Sequence, residues 1–256
     1  MPEPDPAPHS RDAVVATDLT VVRGQQTALR RATCQVPAGQ VTAIIGPNGS
    51  GKSSFLHTIA GIVEPTSGQL QVLGGSPGRA RRRISYVLQN VEAPADLPLT
   101  VRQCVAMGRY SSLGWLRPKR REDRAAVDAA LERLRISDLA QRHLHDLSGG
   151  QRHRVLVAQG IAQDHDILIL DEPMAGLDVV SARVIDGIVH DTLDGRGDQP
   201  ARTIIHTTHD LAEAGAADHV ILLAGEVVAE GPPAEVLQDE LLVAAFGTRG
   251  LHPPRD

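Results

Sequence analysis

Eight residues in the first quarter of the chain can hold a phosphate. Gly46-Pro47-Asn48-Gly49-Ser50-Gly51-Lys52-Ser53 fits G-x-x-x-x-G-K-[ST]. Glycines at 46, 49 and 51 let the backbone curl so that its N–H groups point at phosphate oxygens. Lys52 then reaches the β and γ phosphates as a point charge. The Ser53 hydroxyl is placed to ligate Mg2+, and Ser54 completes the binding set. A second centre is Ile167-Leu168-Ile169-Leu170-Asp171-Glu172. Four apolar residues read as a strand buried on both faces, and two carboxylates at its end are costly unless they have a function. Asp171 is expected to orient Mg2+ through its water shell. Glu172 is expected to be the general base that aligns an attacking water. The two segments together point to ATP hydrolysis.

Leu147-Ser148-Gly149-Gly150-Gln151 separates this chain from most phosphate-loop proteins. It precedes a helical stretch and so makes a second anion-binding helix start, this one without a lysine or a metal site. The economical arrangement is a head-to-tail homodimer in which each ATP lies between the loop of one protomer and the Ser-Gly-Gly of the other. With Gln89 after one apolar run and His209 after another, the set resembles the nucleotide-binding subunits of ABC transporters, from about residue 14 to residue 246. The resemblance implies that residues 46–53 are the Walker A loop, Gln89 the Q-loop glutamine that also reaches the metal, and residues 147–151 the signature. It makes residues 167–172 Walker B. Ala175-Gly176-Leu177-Asp178 becomes the D-loop that crosses the dimer interface, and His209 the switch histidine at the γ-phosphate.

The fold it implies is α/β: a phosphate-loop, RecA-like core with an antiparallel β subdomain and an inserted helical subdomain. Residues 13–246 form one such domain, with the core at about 13–88 and 163–246 and the helical part at about 89–162. Residues 1–12 and 247–256 are tails. Residues 97–117, with Leu97-Pro98-Leu99-Thr100-Val101 and Leu113-Gly114-Trp115-Leu116-Arg117, are similar to ATPases of manganese and zinc importers. Residues 91–98 carry no aromatic and lie closer to the zinc branch. The resemblance then implies a polytopic permease as a separate chain, a metal-binding extracytoplasmic protein, and a peripheral place at the cytoplasmic face of the membrane. The alternative is a soluble ABC ATPase such as one for iron–sulfur assembly. Two departures stand out. Arg23 occupies the place of the aromatic that stacks on adenine, so its guanidinium either lies on the base or points to solvent. Gly160 interrupts a helix at a cost of about 1 kcal/mol against Ala.

The elements that must position these groups are legible as periodicities. Val41-Thr42-Ala43-Ile44-Ile45 reads as a buried strand, residues 52–60 as the loop helix, and Gly61 as its left-handed cap. Thr100 with Gln103 fits a capping box, and Val127, Leu131 and Leu134 share one helix face. Val184, Ile185, Ile188 and Val189 mark a crossover helix. Thr203-Ile204-Ile205-His206-Thr207 is a further strand, and residues 220–228 read as a hairpin about Ala224-Gly225.

Composition narrows the classes. The 256 residues suffice for one large domain, and with 2% aromatics the core must be aliphatic. A net charge of −5 argues against general nucleic-acid binding, and Arg79-Ala80-Arg81-Arg82-Arg83 reads as a solvated loop. Cys34 and Cys104, without a CxxC partner, suit a reducing compartment. No stretch approaches the roughly 20 apolar residues of a membrane span. The Pro- and acid-rich start is expected to be disordered and is not a signal peptide.

Overall fold

A computed structural model describes residues 11–88, 98–110, 120–191 and 202–247. Among them run nine strands: β1 Asp12–Arg23, β2 Gln26–Pro37, β3 Val41–Ile45, β4 Ser67–Val72, β5 Ile84–Val87, β6 Ile167–Leu170, β7 Thr203–Thr208, β8 His219–Leu223 and β9 Val227–Gly231. The chain forms two compact units. One holds the described residues up to Arg81 and those from Thr207 to Gly247, the other the described residues between Arg82 and His206.

In the first unit β1 pairs antiparallel with β2 and β4. Ala32, Cys34 and Val36 alternate with exposed neighbours along β2, so one face of this sheet is buried. β3 is buried at all five residues and runs parallel to β8, which turns back antiparallel into β9. The helix Lys52–Ile59 follows β3, buries Phe55, Leu56 and Ile59, and ends at Gly61 with φ +68°.

In the second unit β5 and β6 run parallel, and β6 pairs with the first residues of β7. Most of their side chains are apolar and buried, as a two-sided parallel sheet requires, and the polar Ser85, Thr203 and His206 are buried with them. The helix Gly149–Ala162 packs on the helices Val101–Met107 and Arg121–Arg133 and against β5. The capping box at the helix Val101–Met107 is formed: Thr100 N donates to Gln103 Oε1 at 2.9 Å, and Gln103 N to Thr100 Oγ1 at 3.3 Å. Val127, Leu131 and Leu134 are buried together on one face.

Two expectations change. Gly160 is not a tolerated defect: a Cβ there would lie 2.6 Å from Val87 Cγ2 and 3.1 Å from Ser85 Oγ. Its absence lets the helix approach β5 closely enough for Ser85 Oγ to donate to the Gly160 carbonyl at 3.0 Å. The arginine run is not a loop but two short helical turns, Pro77–Ala80 and Arg81–Arg83. Arg81 donates to the Gly61 carbonyl, and Arg83 forms a fork with Asp166 at 2.7 and 2.9 Å.

Two buried histidines set a pH dependence. His206 has no hydrogen-bond partner at either ring nitrogen among the described residues. His165 has Nδ1 2.7 Å from the Gln163 carbonyl and no partner at Nε2. Burial pushes both down to about 4. His190 adds to this at His206; at His165 Arg202 adds to it, while the Gln163 carbonyl and Asp166 oppose it. The unfolded chain binds these protons near pH 6.5, so stability is full above that pH and declines as pH falls towards 4, by up to about 3 kcal/mol per histidine. The melting temperature is therefore expected to drop steadily from pH 7 to pH 4.5. His206→Val should flatten that slope; an unchanged slope in the variant would assign it elsewhere.

Candidate functional site

The phosphate loop lies in the first unit, between β3 and its helix. Gly46, Gly49 and Gly51 have φ of +154°, +80° and +100°. A Cβ on Gly46 would stand 2.0 Å from the Leu223 carbonyl oxygen, and one on Gly51 2.3 Å from that of Ala28. Glycine is thus imposed twice over, by dihedral and by the approach of neighbouring backbone. Gly225 N donates to Ser50 O at 3.0 Å and Ser50 N to Pro47 O at 3.1 Å, which hold the loop closed on itself. Lys52 is buried, and its Nζ donates to the carbonyls of Gly46 at 2.7 Å and Pro47 at 3.2 Å. Asn48, Gly49 and Ser53 are exposed, while Ser50 and Ser54 are buried. A backbone cradle that a Cβ would fill, a buried ammonium and a helix N-terminus suit a polyphosphate. An exposed serine hydroxyl is a hard oxygen donor of the type magnesium takes.

Two further residues sit in this unit. Arg23 is exposed at the tip of the β1–β2 hairpin, opposite Gln26. His209 is exposed directly after β7. The turn around it is fixed by Asp210, whose N–H donates to Thr208 Oγ1 at 3.0 Å and whose Oδ1 accepts from Ala212 N at 2.6 Å, starting the next helix.

In the second unit the four buried residues of β6 deliver Asp171, itself buried, and Glu172, half-buried. Glu172 has φ +47°, a left-handed conformation that costs a non-glycine residue about 1–2 kcal/mol. Ser148 caps the helix Gly149–Ala162 in a capping box: its Oγ accepts from Gln151 N at 3.3 Å, and its own N–H donates to Gln151 Oε1 at 3.0 Å. The hydroxyl's proton remains free to be given to an incoming anion. Gly150 packs against the D-loop, since a Cβ there would meet Asp178 Oδ2 at 2.5 Å and Ser181 Oγ at 2.8 Å. Asp178 accepts from Ser181 N at 2.9 Å and Ser181 Oγ at 2.7 Å, and these bonds hold its carboxyl below the usual range. The helix start at residues 148–151 and the Asp178–Ser181 turn are thereby brought together. Gln89, residues 91–97, residues 113–117 and the chain ends lie outside the described residues.

Sequence reading missed three residues here. Tyr86 donates to Asp171, Ser181 fixes Asp178, and the buried His153 bonds the Pro173 carbonyl beside Glu172. Ser181 is discoverable as the third residue after an acidic helix cap. The other two are long-range contacts with no local signal. His143 and His145 do not join His153 in a cluster. Their rings stack on one another at 5.4 Å, and no metal-holding group of three is present among the described residues.

A strand, glycine loop and helix with a buried lysine in one unit, and an apolar strand ending in two carboxylates in the other, define a phosphate-loop ATPase. The chain belongs to the ABC transporter family, whose profile matches residues 29–175. It is 38% identical over 239 residues to the zinc transport system ATP-binding protein TroB of Treponema pallidum, covering 93% of this chain and 88% of that one. With the manganese transport system ATP-binding protein MntA of Synechocystis it shares 36% identity over 223 residues, 86% of this chain and 84% of the relative. Among solved structures it is similar to an inward-facing metal-chelate type ABC transporter, with TM-score 0.79 and 27% identity over 93% of this chain and 89% of that one. It also resembles a nucleotide-free ATP-binding cassette from an ABC transporter, with TM-score 0.75 and 25% identity, covering 92% and 98%. The chain is an ATP-binding, ATP-hydrolysing transporter subunit of the α/β ABC ATPase fold.

Proposed function

We propose that this subunit drives import of a divalent metal ion, zinc or else manganese, through a separate permease on whose cytoplasmic side it is bound. One observation carries the reading: relatives matched over most of the chain are ATP-binding proteins of zinc and manganese transport systems. None of these names supports the iron–sulfur alternative. No helix among the described residues is long and apolar enough to cross a membrane. A metal-binding extracytoplasmic protein would deliver the ion.

In this reading the loop residues 46–54 hold the triphosphate, with Lys52 exchanging its two loop carbonyls for phosphate oxygens. Ser53 and Gln89 would be ligands of magnesium and Asp171 would orient it through its water shell; when bound, the ion would supply charge neutralisation at the β and γ phosphates. Glu172 takes a proton from the attacking water, and His209 steadies the γ-phosphate. Ser148, Gly149, Gly150 and Gln151 cap the ATP of the partner protomer in a homodimer, and Asp178 of the D-loop meets the partner. Arg23 lays its guanidinium on the adenine ring.

Deleting the gene and growing cells in metal-poor medium tests the cargo. Cell zinc or manganese, measured by mass spectrometry, is expected to fall and to recover on complementation by the parent gene but not by the Lys52→Ala form. Unchanged metal content with failing iron–sulfur enzymes would sink the importer reading.

A further inference from the structure

β5 presents its residues alternately to two sides. Ser85 and Val87 face the helix Gly149–Ala162, as the contacts of Gly160 establish. Tyr86, between them, faces the other way. β5 and β6 are parallel and pair Tyr86 with Ile169, so these two side chains stand on the same side of the sheet. Asp171 lies two residues beyond Ile169 and continues that side, about 6.6 Å further along at the usual strand rise. A tyrosine ring spans that distance; a serine or threonine does not. Tyr86 Oη donates to Asp171 Oδ2 at 3.3 Å, and the Asp171 N–H donates to the Val87 carbonyl at 3.2 Å. The neighbouring strand therefore grips the carboxylate residue at two points, backbone and side chain. Asp171 is only 8% exposed, so water contributes little to fixing its rotamer.

We propose that Tyr86 is a positioning residue for magnesium: its hydroxyl fixes the Asp171 carboxylate in the orientation that the metal requires. The proposal rests on the reading of Asp171 as the carboxylate that orients magnesium through its water shell. Its physics is that of an outer hydrogen bond to a carboxylate that holds the metal in place. Such a partner holds that carboxylate's lone pairs in place, and its loss typically costs 10–100-fold in metal affinity. Phenylalanine preserves the ring and its packing while removing the one atom that reaches Asp171.

The test is a titration of Mn2+ into the full-length protein with a non-hydrolysable ATP analogue, read by electron paramagnetic resonance. Parent, Tyr86→Phe and Asp171→Asn proteins are compared. Tyr86→Phe is expected to bind Mn2+ about tenfold more weakly, while its melting temperature and its binding of the analogue in EDTA match the parent. Magnesium-dependent ATPase of Tyr86→Phe should recover towards the parent at saturating Mg2+, because the defect lies in metal affinity. Parent-like Mn2+ affinity in Tyr86→Phe, with affinity lost in Asp171→Asn, overturns the proposal and leaves the site reading standing. Loss of metal-free analogue binding or a large drop in melting temperature in Tyr86→Phe makes the residue merely structural and also overturns it. Undiminished Mn2+ affinity in Asp171→Asn removes that carboxylate from the metal site, and then the site reading fails together with the inference.

Discussion

Replacing Glu172 by Gln is expected to slow ATP turnover at least ~10²-fold while leaving MgATP binding intact. Glutamine keeps the length and volume of the side chain but cannot accept the proton of an attacking water. It also inherits the left-handed backbone at this position, φ +47°, so the two proteins carry the same conformational cost and differ in chemistry. Asp171, the carboxylate proposed to orient magnesium, is untouched, and the variant should therefore accumulate with ATP bound, as a dimer. Lys52→Ala is expected to fail one step earlier: the buried ammonium that already sits on the Gly46 and Pro47 carbonyls is removed, and nucleotide affinity goes with it. Fluorescent-nucleotide binding, phosphate release and size-exclusion chromatography separate the two defects. Near-normal hydrolysis by Glu172→Gln would move the base elsewhere.

What was legible in the sequence divides by the range of the interaction. The capping box at Thr100–Gln103 joins residues three apart, and the turn at Gly61 is a property of one residue. Residue type and spacing therefore suffice to read them. The buried strands β3 and β6 announce themselves as apolar runs that end in chemistry. Gly160 reads wrongly from the helix alone, because the reason for it lies on β5, in the side chains of Ser85 and Val87. Tyr86 and His153 carry no local mark either. Each reaches the Walker B turn from another element, across 85 and 20 residues of sequence. The left-handed backbone of Glu172 is invisible to propensity, which disfavours that conformation for glutamate. A functional position is where such a conflict between local preference and structure is expected.

Mixing two inactive proteins is expected to restore activity if the signature acts on the partner's ATP. Ser148→Arg protein keeps its phosphate loop but places a bulky cation where a small hydroxyl must donate to phosphate. Lys52→Ala protein keeps its signature but cannot hold the triphosphate. In a mixed dimer one site joins the intact Lys52 of the first chain to the intact Ser148 of the second, and the other site has neither. Random pairing of equal amounts makes about half the dimers mixed, so about a quarter of the parent's working sites should return. The geometry of the helix start supports this role. The Ser148 Oγ is occupied as an acceptor by Gln151 N, which fixes its position, while its proton stays available. Gly150 lies against Asp178 and Ser181, so binding of the partner's phosphate at the signature bears directly on the D-loop of the same protomer. Cooperativity should follow: specific activity of the parent is expected to fall on dilution as the dimer dissociates. A mixture as inactive as its parts, together with parent activity that stays linear in enzyme concentration down to the nanomolar range, would instead describe a self-sufficient monomer.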